Sequence, residues 1–213
     1  MGLYDTYLAV RHRLHEGDPP AHVAVVLTER DLLVDGAFDT LEAALGWALE
    51  YGTERVTVSV SVLDAAVIPT LTRELRRLDA PQPFTVRSPD SVDSANGNTT
   101  VGDTVDDPPI RITVGLGGKA EFAAAVRELA TDVDAGRIDP DAIGATDVTD
   151  RLVLPEEPDL VIKTGAERLS DFAIWQSVYS ELYFTDVNWR DFRRRDYLRA
   201  VLDFQDRQRR FGR

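Results

Sequence analysis

Two cations and a hydroxyl lie close together in the last third of the chain. Lys163 ends a short apolar run, Arg168 lies five residues further on, and Ser170 follows shortly after it. Ammonium and guanidinium groups bind phosphate through charge-assisted hydrogen bonds, and a serine hydroxyl adds another donor. These residue types at this spacing predict a binding site for a phosphate or diphosphate group.

The elements around these residues would supply further donors. Residues 159–163 are predicted to form a buried strand, residues 164–169 a polar loop, and Ser170 the N-cap of a helix. A helix start presents free backbone N–H groups and the positive end of its dipole, which both favour an anion. The helix is predicted from apolar residues at helical spacing, namely Phe172, Ile174, Trp175, Val178, Tyr179 and Leu182.

The composition is typical of a globular protein with one core. The chain has 213 residues, of which 43% are hydrophobic and none is cysteine, so a single domain over residues 1–213 without disulfides is predicted. No apolar run is long enough for a transmembrane helix, and residues 1–20 contain no signal peptide, which predicts a cytoplasmic location. The net charge of −13 and the presence of only two lysines predict a halophilic protein and argue against nucleic acid as a partner.

The C-terminal segment departs from this acidic average. Residues 190–213 contain nine arginines and four aspartates, a net charge of +5, so residues 1–189 carry −18. The apolar spacing predicts a basic helix over residues 197–210 followed by a short tail. Such a segment could meet a diphosphate, a membrane surface in a peripheral contact, or an acidic partner, and the sequence leaves these three open.

Apolar runs alternate with helical patterns along the chain. Residues 87–109 interrupt this pattern, because they are rich in Ser, Asp, Asn, Gly and Thr, and they are predicted to form a flexible loop. The alternation is typical of an α/β fold with a mostly parallel central sheet flanked by helices. Five strands are predicted, at residues 22–28, 55–63, 84–86, 110–115 and 159–163.

The N-terminal segment predicts an amphipathic helix over residues 3–16. His12 and His15 lie one turn apart with Glu16 beside them, which is compatible with a metal site, although a solvated helix face is the favoured interpretation. The apolar face of this helix contains Leu3, Tyr7, Val10 and Leu14.

Residues 159–189 resemble the C-terminal signature of the cis-prenyltransferases, the family that includes the undecaprenyl diphosphate synthases. The resemblance implies the α/β fold predicted above and binding of isopentenyl diphosphate. The loop after Lys163 is one residue shorter than the family pattern, so positions 165–167 have no firm equivalents. The matching positions are Arg168-Leu169-Ser170, Phe172, Trp175-Gln176, Tyr179, the run from Glu181 to Asp186, and Trp189.

The resemblance implies roles for the residues that first indicated an anion site. Lys163 stands where the family has an arginine, which keeps the charge but loses the two-pronged guanidinium. With Arg168 and Ser170, which match family ligands, it would bind the diphosphate of isopentenyl diphosphate. Taken alone, Arg168 could instead pair with Asp171 or Glu167 at the surface.

Further matches imply a metal and a dimer. Glu181 matches a family glutamate linked to Mg²⁺, a cofactor that this chain could share with a partner subunit. Arg210 and Gly212 match a tail motif that is thought to reach across a dimer interface into the neighbouring active site. Core or dimer-interface positions, rather than isoprenoid contacts, are favoured for the aromatic residues Trp175, Tyr179, Tyr183 and Phe184.

The first half of the family's site is missing from this chain. After its first strand the family has Asp-Gly-Asn, whose aspartate holds Mg²⁺ and whose loop cradles an allylic diphosphate, whereas this chain has Thr28, Glu29 and Arg30. Glu29 places a bulky anion where glycine lets the backbone approach phosphate. Glu29 or Asp31 could take over the metal, although a working site needs closely set geometry.

Three functions remain open. A lost first half-site with a retained tail resembles the non-catalytic Nogo-B receptor type of subunit, which supports a catalytic cis-prenyltransferase homologue in polyprenyl diphosphate synthesis. An active polyprenyl diphosphate synthase with a rebuilt metal site is the second hypothesis, so the sequence does not decide whether the chain is an enzyme. The third is a homodimer that binds a phosphorylated or isoprenoid ligand without transferring it.

Overall fold

The computed structural model describes residues 2–89, 100–101, 108–165 and 175–211, with side chains except at residues 100–101 and 208–211. Across these ranges the chain forms one sheet in the order β4-β3-β5-β2-β1-β6-β7, in which β3 and β4 are antiparallel and the other neighbours are parallel. The predicted α/β fold with a mostly parallel sheet is confirmed. The strands are β1 (His22–Thr28), β2 (Arg55–Ser61), β3 (Phe84–Arg87), β4 (Thr100–Val101), β5 (Ile110–Val114), β6 (Leu160–Thr164) and β7 (Glu181–Thr185).

Helices connect most of these strands, as the alternation of apolar runs and helical patterns predicts. Short 3₁₀ turns occur at Ala65–Val67, Pro140–Ala142 and Trp189–Asp191. The α-helices are α1 (Leu3–Arg13), α2 (Glu29–Leu32), α3 (Ala37–Glu50), α4 (Ile68–Leu75), α5 (Gly118–Asp134), α6 (Ala145–Thr149) and α7 (Arg194–Phe211). None of the helices in the described ranges is long and apolar enough to cross a membrane.

β1 lies near the centre of the sheet and sets its topology. It is buried from His22 to Leu27, as a near-continuous apolar run predicts for a parallel strand covered on both faces. It pairs with β2 on one side and with β6 on the other. The winding of the chain therefore reverses between β1 and β6, and in open α/β sheets ligands bind outside the carboxyl ends of the strands at such a reversal.

Alternate residues of β1 face two different cores. Val23, Val25 and Leu27 belong to a large cluster built with α3, α4 and α7, and Trp189 and Phe192 stack within it at 5.5 Å between ring centroids. Ala24 and Val26 face the opposite side, where they form a smaller cluster with Val161 of β6 and with Leu182. The sheet is therefore buried on both faces beside the β1–β6 crevice. This burial holds the carboxyl ends of the two strands in a fixed position.

The predicted helix from Ser170 to Leu182 is wrong in the part that can be tested. Residues 166–174 lie outside the described ranges, residues 175–179 form a turn, and Glu181–Thr185 is the edge strand β7. The same aromatic and apolar residues satisfy a strand pattern as well as a helical one. Pairing with β6, including Gly165 N–H to the Thr185 carbonyl oxygen at 2.9 Å, decides between the two.

α1 forms as predicted but turns its apolar face outward. The side chain buried in this helix is Leu8, whereas Leu3 is 95% exposed and Leu14 is 77% exposed. His12 and His15, considered above as metal ligands, point instead to α7, where they contact Gln205 at 3.2 Å and Asp206 at 3.0 Å. Within the described ranges no group of three potential metal ligands is present.

The predicted flexible loop over residues 87–109 falls mostly outside the described residues. The part that is described contains a correction, because residue 87 ends β3 and Thr100–Val101 forms the short strand β4 against it. The basic C-terminal helix is confirmed, and it starts three residues earlier than predicted, at Arg194.

Candidate functional site

Lys163 lies at the carboxyl end of β6, in the crevice where the winding reverses. Its register partner on β1 is Val26, and its side chain is only 3% exposed. In the described part of the chain its ammonium donates one hydrogen bond, to the carbonyl oxygen of Thr164 at 3.1 Å. An ammonium has three N–H donors, so this buried cation retains capacity for an anionic partner.

Burial also changes the proton affinity of this lysine. Desolvation lowers the pKa of Lys163 below its ordinary value, and the negative charge of Asp31 acts in the opposite direction. A phosphate oxygen beside the ammonium would raise the pKa again, because an anion favours the charged form. Binding of an anion at Lys163 would therefore be coupled to proton binding.

Thr28 and Asp31 form a closed polar pair at the carboxyl end of β1. The backbone N–H and the hydroxyl of Thr28 both donate to Oδ2 of Asp31, each at 2.8 Å. The Thr-x-x-Asp spacing is a capping-box signature, and it can be read from the sequence. Asp31 is thus held by the start of α2 rather than projecting freely into the crevice.

Glu29 occupies a backbone anion site with its own carboxylate. Its Oε2 accepts hydrogen bonds from the N–H of Leu63 at 2.9 Å and of Asp64 at 3.3 Å, in the loop that follows β2. The side chain is 9% exposed. Consecutive backbone N–H groups of this kind form anion-binding concavities. Sequence reasoning recognised Glu29 as an obstacle to diphosphate but missed these partners, since they lie 34 and 35 residues further along the chain.

Gly165 makes the turn that leaves β6 beside Lys163. Its φ is +68°, a left-handed conformation that a side chain would strain. A glycine is therefore favoured where the chain leaves β6, before the segment that contains Arg168 and Ser170. Both of those residues lie outside the described ranges, so their predicted role in diphosphate binding stays a prediction.

Glu181 lies at the opposite end of the sheet from Lys163. It pairs in register with Leu160, whereas Lys163 pairs with Phe184, which separates the two positions by three strand residues or about 10 Å. Its carboxylate forms an ion pair with Arg207 at 3.0 Å. The structure does not bring Glu181 and Lys163 into one site within a single chain.

The tail residues of the predicted site are only partly described. The backbone of Arg210 belongs to α7, while its side chain and Gly212 lie outside the described residues. Their predicted contact with a neighbouring subunit stays a prediction.

Trp175 and Gln176, two positions of the signature, take structural roles. Trp175 stacks on Phe122 at 5.8 Å between ring centroids and donates from Nε1 to the hydroxyl of Thr149 at 3.1 Å. Gln176 is 1% exposed and donates from Nε2 to the carbonyl oxygen of Leu154 at 2.6 Å. These contacts tie the turn before β7 to α5 and α6, a network that sequence reasoning did not anticipate.

The described carboxylates at the carboxyl edge do not fit a Mg²⁺ site by themselves. Mg²⁺ needs free carboxylate oxygens in near-octahedral geometry. The family's aspartate position holds Thr28, Asp31 accepts from that same threonine, and Glu29 accepts from two backbone N–H groups. Asp31 and Glu29 thus each have one carboxylate oxygen engaged by protein donors.

A family model and several sequence relatives match the C-terminal half of the chain. The family described as "Putative undecaprenyl diphosphate synthase" matches residues 87–212. A relative from Methanopyrus kandleri, named tritrans,polycis-undecaprenyl-diphosphate synthase (geranylgeranyl-diphosphate specific), is 49% identical over 107 residues, which is 49% of this chain and 40% of that protein. Isoprenyl transferase 1 from Corynebacterium efficiens is 45% identical over 122 residues, which is 53% of this chain and 48% of that protein. The chain thus spans less than half of the length of these relatives.

Solved structures extend the likeness in fold over most of the chain. Lavandulyl diphosphate synthase from Lavandula x intermedia, solved with dimethylallyl diphosphate, superposes with a TM-score of 0.68 at 22% identity over 88% of this chain and 95% of its own. A probable undecaprenyl diphosphate synthase from Campylobacter jejuni gives a TM-score of 0.64 at 17% identity over 92% of this chain. With the family match over more than half of its residues, this chain belongs to the cis-prenyltransferase family of undecaprenyl diphosphate synthases.

Proposed function

We propose that this chain is a non-catalytic subunit that binds isopentenyl diphosphate and supports a catalytic cis-prenyltransferase homologue in polyprenyl diphosphate synthesis. The observation that carries the proposal is the Glu29 carboxylate on the N–H groups of Leu63 and Asp64, beside Thr28 at the family's metal position. A carboxylate in that concavity excludes a second anion by charge and by volume.

Lys163 supports the other half of the proposal. A buried cation with unused donor capacity at the β1–β6 crevice suits the diphosphate of isopentenyl diphosphate. The family match begins at residue 87, so it includes Lys163 and leaves out Thr28 and Glu29. This asymmetry agrees with one retained and one lost half-site.

The partner would complete what this chain lacks. It would supply the allylic diphosphate site and the carboxylate that holds Mg²⁺, while this chain would supply Arg210 and Gly212 across the interface. Glu181 could join a metal site only in such an assembly, and only after releasing Arg207.

The proposal predicts no synthase activity for the pure chain and stimulation of a catalytic homologue from the same cell. The measurement is incorporation of isopentenyl diphosphate into polyprenyl diphosphate, with Mg²⁺ and at KCl concentrations from low to multimolar. Replacement Arg210→Ala should lower the stimulation by about 10²-fold, as the loss of a charged group on a reacting diphosphate typically does.

Arg73→Ala is the matched control, because Arg73 is an exposed arginine on α4, far from the tail in sequence. It should leave stimulation unchanged. Turnover by the pure chain would instead establish an active synthase and direct attention to Glu29, Asp31 and Glu181. If the pure chain shows no synthase activity and does not stimulate the homologue, the remaining hypothesis is a homodimer that binds a phosphorylated or isoprenoid ligand.

A further inference from the structure

α1 carries an apolar face that nothing in the described chain covers. The four residues lie at successive turns on one side of the helix and extend over about 16 Å. A contiguous exposed apolar stripe of this kind marks an interaction surface rather than a scatter of single side chains. We call it the α1 face, and it consists of Leu3 (95% exposed), Tyr7 (59%), Val10 (49%) and Leu14 (77%).

The orientation of the α1 face is fixed by contacts that residues outside the apolar stripe make with α7. Arg11 forms an ion pair with Asp206 of α7 at 2.9 Å, and His15 contacts the same carboxylate at 3.0 Å. Leu8 is buried against the body of the protein. The helix therefore cannot roll to bury Leu3 and Leu14 without breaking these contacts. The contacts of α1 with the rest of the protein therefore keep the apolar stripe facing outward.

Arginines of α1 border the α1 face, although one of them, Arg11, is paired with Asp206 of α7. At 100° per residue, Arg11 and Arg13 fall on the two borders of the stripe, while Asp5, the acid within α1, falls on the far side. Beside the helix, Arg199 of α7 lies over the ring of Tyr4 at 5.2 Å. In a chain of net charge −13, α1 packs against the described part of α7, which belongs to the basic segment but also carries the partly exposed acids Asp203 and Asp206.

We infer that the α1 face docks on an anionic lipid bilayer, with the helix lying in the plane of the interface. An apolar stripe bordered by arginines is the pattern of an interfacial helix, in which the apolar side chains enter the acyl boundary and the cations contact headgroups. A symmetric contact with a second copy through the α1 face would instead place the bordering arginines of both copies on the same contact, which charge opposes. The inference does not depend on the role of the diphosphate site.

Vesicle sedimentation tests the inference with the full chain. We expect binding to phosphatidylglycerol vesicles, weak binding to phosphatidylcholine vesicles, and a decrease as KCl rises. Val10→Glu should lower the partition coefficient by about tenfold or more, because it places a carboxylate in the apolar contact. Arg13→Gln should lower it by about fivefold, the value of one cation near an anionic surface.

Val126→Glu is the matched control, because Val126 on α5 is 44% exposed and the substitution adds the same charge. It should bind vesicles like the original chain, and thermal unfolding verifies that both variants fold. Equal binding by the Val10 and Val126 variants would overturn the inference. Absence of vesicle binding would also overturn it, and loss of a dimer in Val10→Glu by sedimentation velocity would then assign the α1 face to a protein contact.

Discussion

Replacing Lys163 with methionine should abolish the stabilisation of this protein by pyrophosphate and raise the thermal midpoint of the free protein at neutral pH. The two effects have one cause. Lys163 is 3% exposed and its ammonium donates one described hydrogen bond, so burying its charge is unfavourable until an anion binds. Methionine fills a similar volume without a charge. It therefore removes the unfavourable free energy of burying the ammonium, and it also removes the group that would bind the anion.

The pH dependence of the stability gain has a definite sign. Because the folded pKa of Lys163 is lowered, the unfolded chain binds more protons between that pKa and the ordinary value of 10.5. Stability of the original protein therefore rises with pH across that window, and the full cost of burying the charge is present below it. The advantage of Lys163→Met should be largest at neutral pH and should shrink as the pH approaches 10.5.

Isothermal titration with inorganic pyrophosphate measures the binding effect directly. We expect Lys163→Met to weaken binding by about 10-fold to 100-fold, the range for losing a hydrogen bond to a charged group. Lys163→Arg should retain binding, since it restores the residue type of the family. Lys119→Met removes the other lysine of the chain, which is exposed at the start of α5, and should bind as the original protein does. Undiminished binding by Lys163→Met would refute the assigned anion site.

Glu29→Gly should destabilise the protein, and added pyrophosphate should restore part of that loss. Without the carboxylate, the N–H groups of Leu63 and Asp64 lose their acceptor. A hydrogen bond to a charged acceptor contributes about 1.5–3 kcal/mol, and water compensates part of that loss here because Leu63 and Asp64 are exposed. For a chain of this length each kcal/mol corresponds to about 2–4 °C in thermal midpoint. An anion in the vacated concavity would accept the same two hydrogen bonds.

The stoichiometry of pyrophosphate distinguishes rescue at this concavity from a general salt effect. We expect the original chain to bind pyrophosphate only at the Lys163 site, and Glu29→Gly to gain a second site. Glu29→Gln, which keeps an acceptor oxygen, should be nearly as stable as the original and gain none. Asp31→Ala removes the cap on Thr28, so it should lower stability without rescue. If Glu29→Gly binds no additional pyrophosphate, the concavity is not a vacated diphosphate site.

These two experiments together decide how the family's site has changed in this chain. Loss of binding in Lys163→Met would establish the retained half-site independently of any partner protein. A second pyrophosphate site in Glu29→Gly would establish that the donors of the first half-site are still present and that the Glu29 carboxylate occupies them in the original chain. A chain with both properties could bind isopentenyl diphosphate while leaving the allylic substrate to another subunit.

The strands of the central sheet could be predicted because their signal is local. β1 and β6 are near-continuous apolar runs, and burial on both faces of a parallel sheet requires that pattern. The cation near the end of β6 could equally be predicted, since the end of a strand constrains residue type at single positions. The position of Lys163 at the carboxyl edge of the sheet was therefore predictable, although its depth of burial was not, and its role in anion binding stays a prediction.

The residues from Trp175 to Leu182 show where local patterns fail. Their apolar positions satisfy helical spacing, yet the chain forms a turn followed by β7. The backbone hydrogen bonds to β6 decide between the two, because an unpaired edge of the sheet is available at that point and a strand satisfies it. Whether such an edge exists is a property of the assembled sheet.

The sequence by itself determined the α/β class, the positions of most strands, the opposite charges of the body and the C-terminal segment, and the loss of the family's Asp-Gly-Asn. Each of these depends on residue type or on spacing within a few positions. Only the tertiary structure decided that Glu29 closes on the N–H groups of Leu63 and Asp64, that Glu181 and Lys163 lie at opposite ends of the sheet, and that α1 turns its apolar face outward. These facts depend on contacts between segments far apart in the chain, which packing and strand register create.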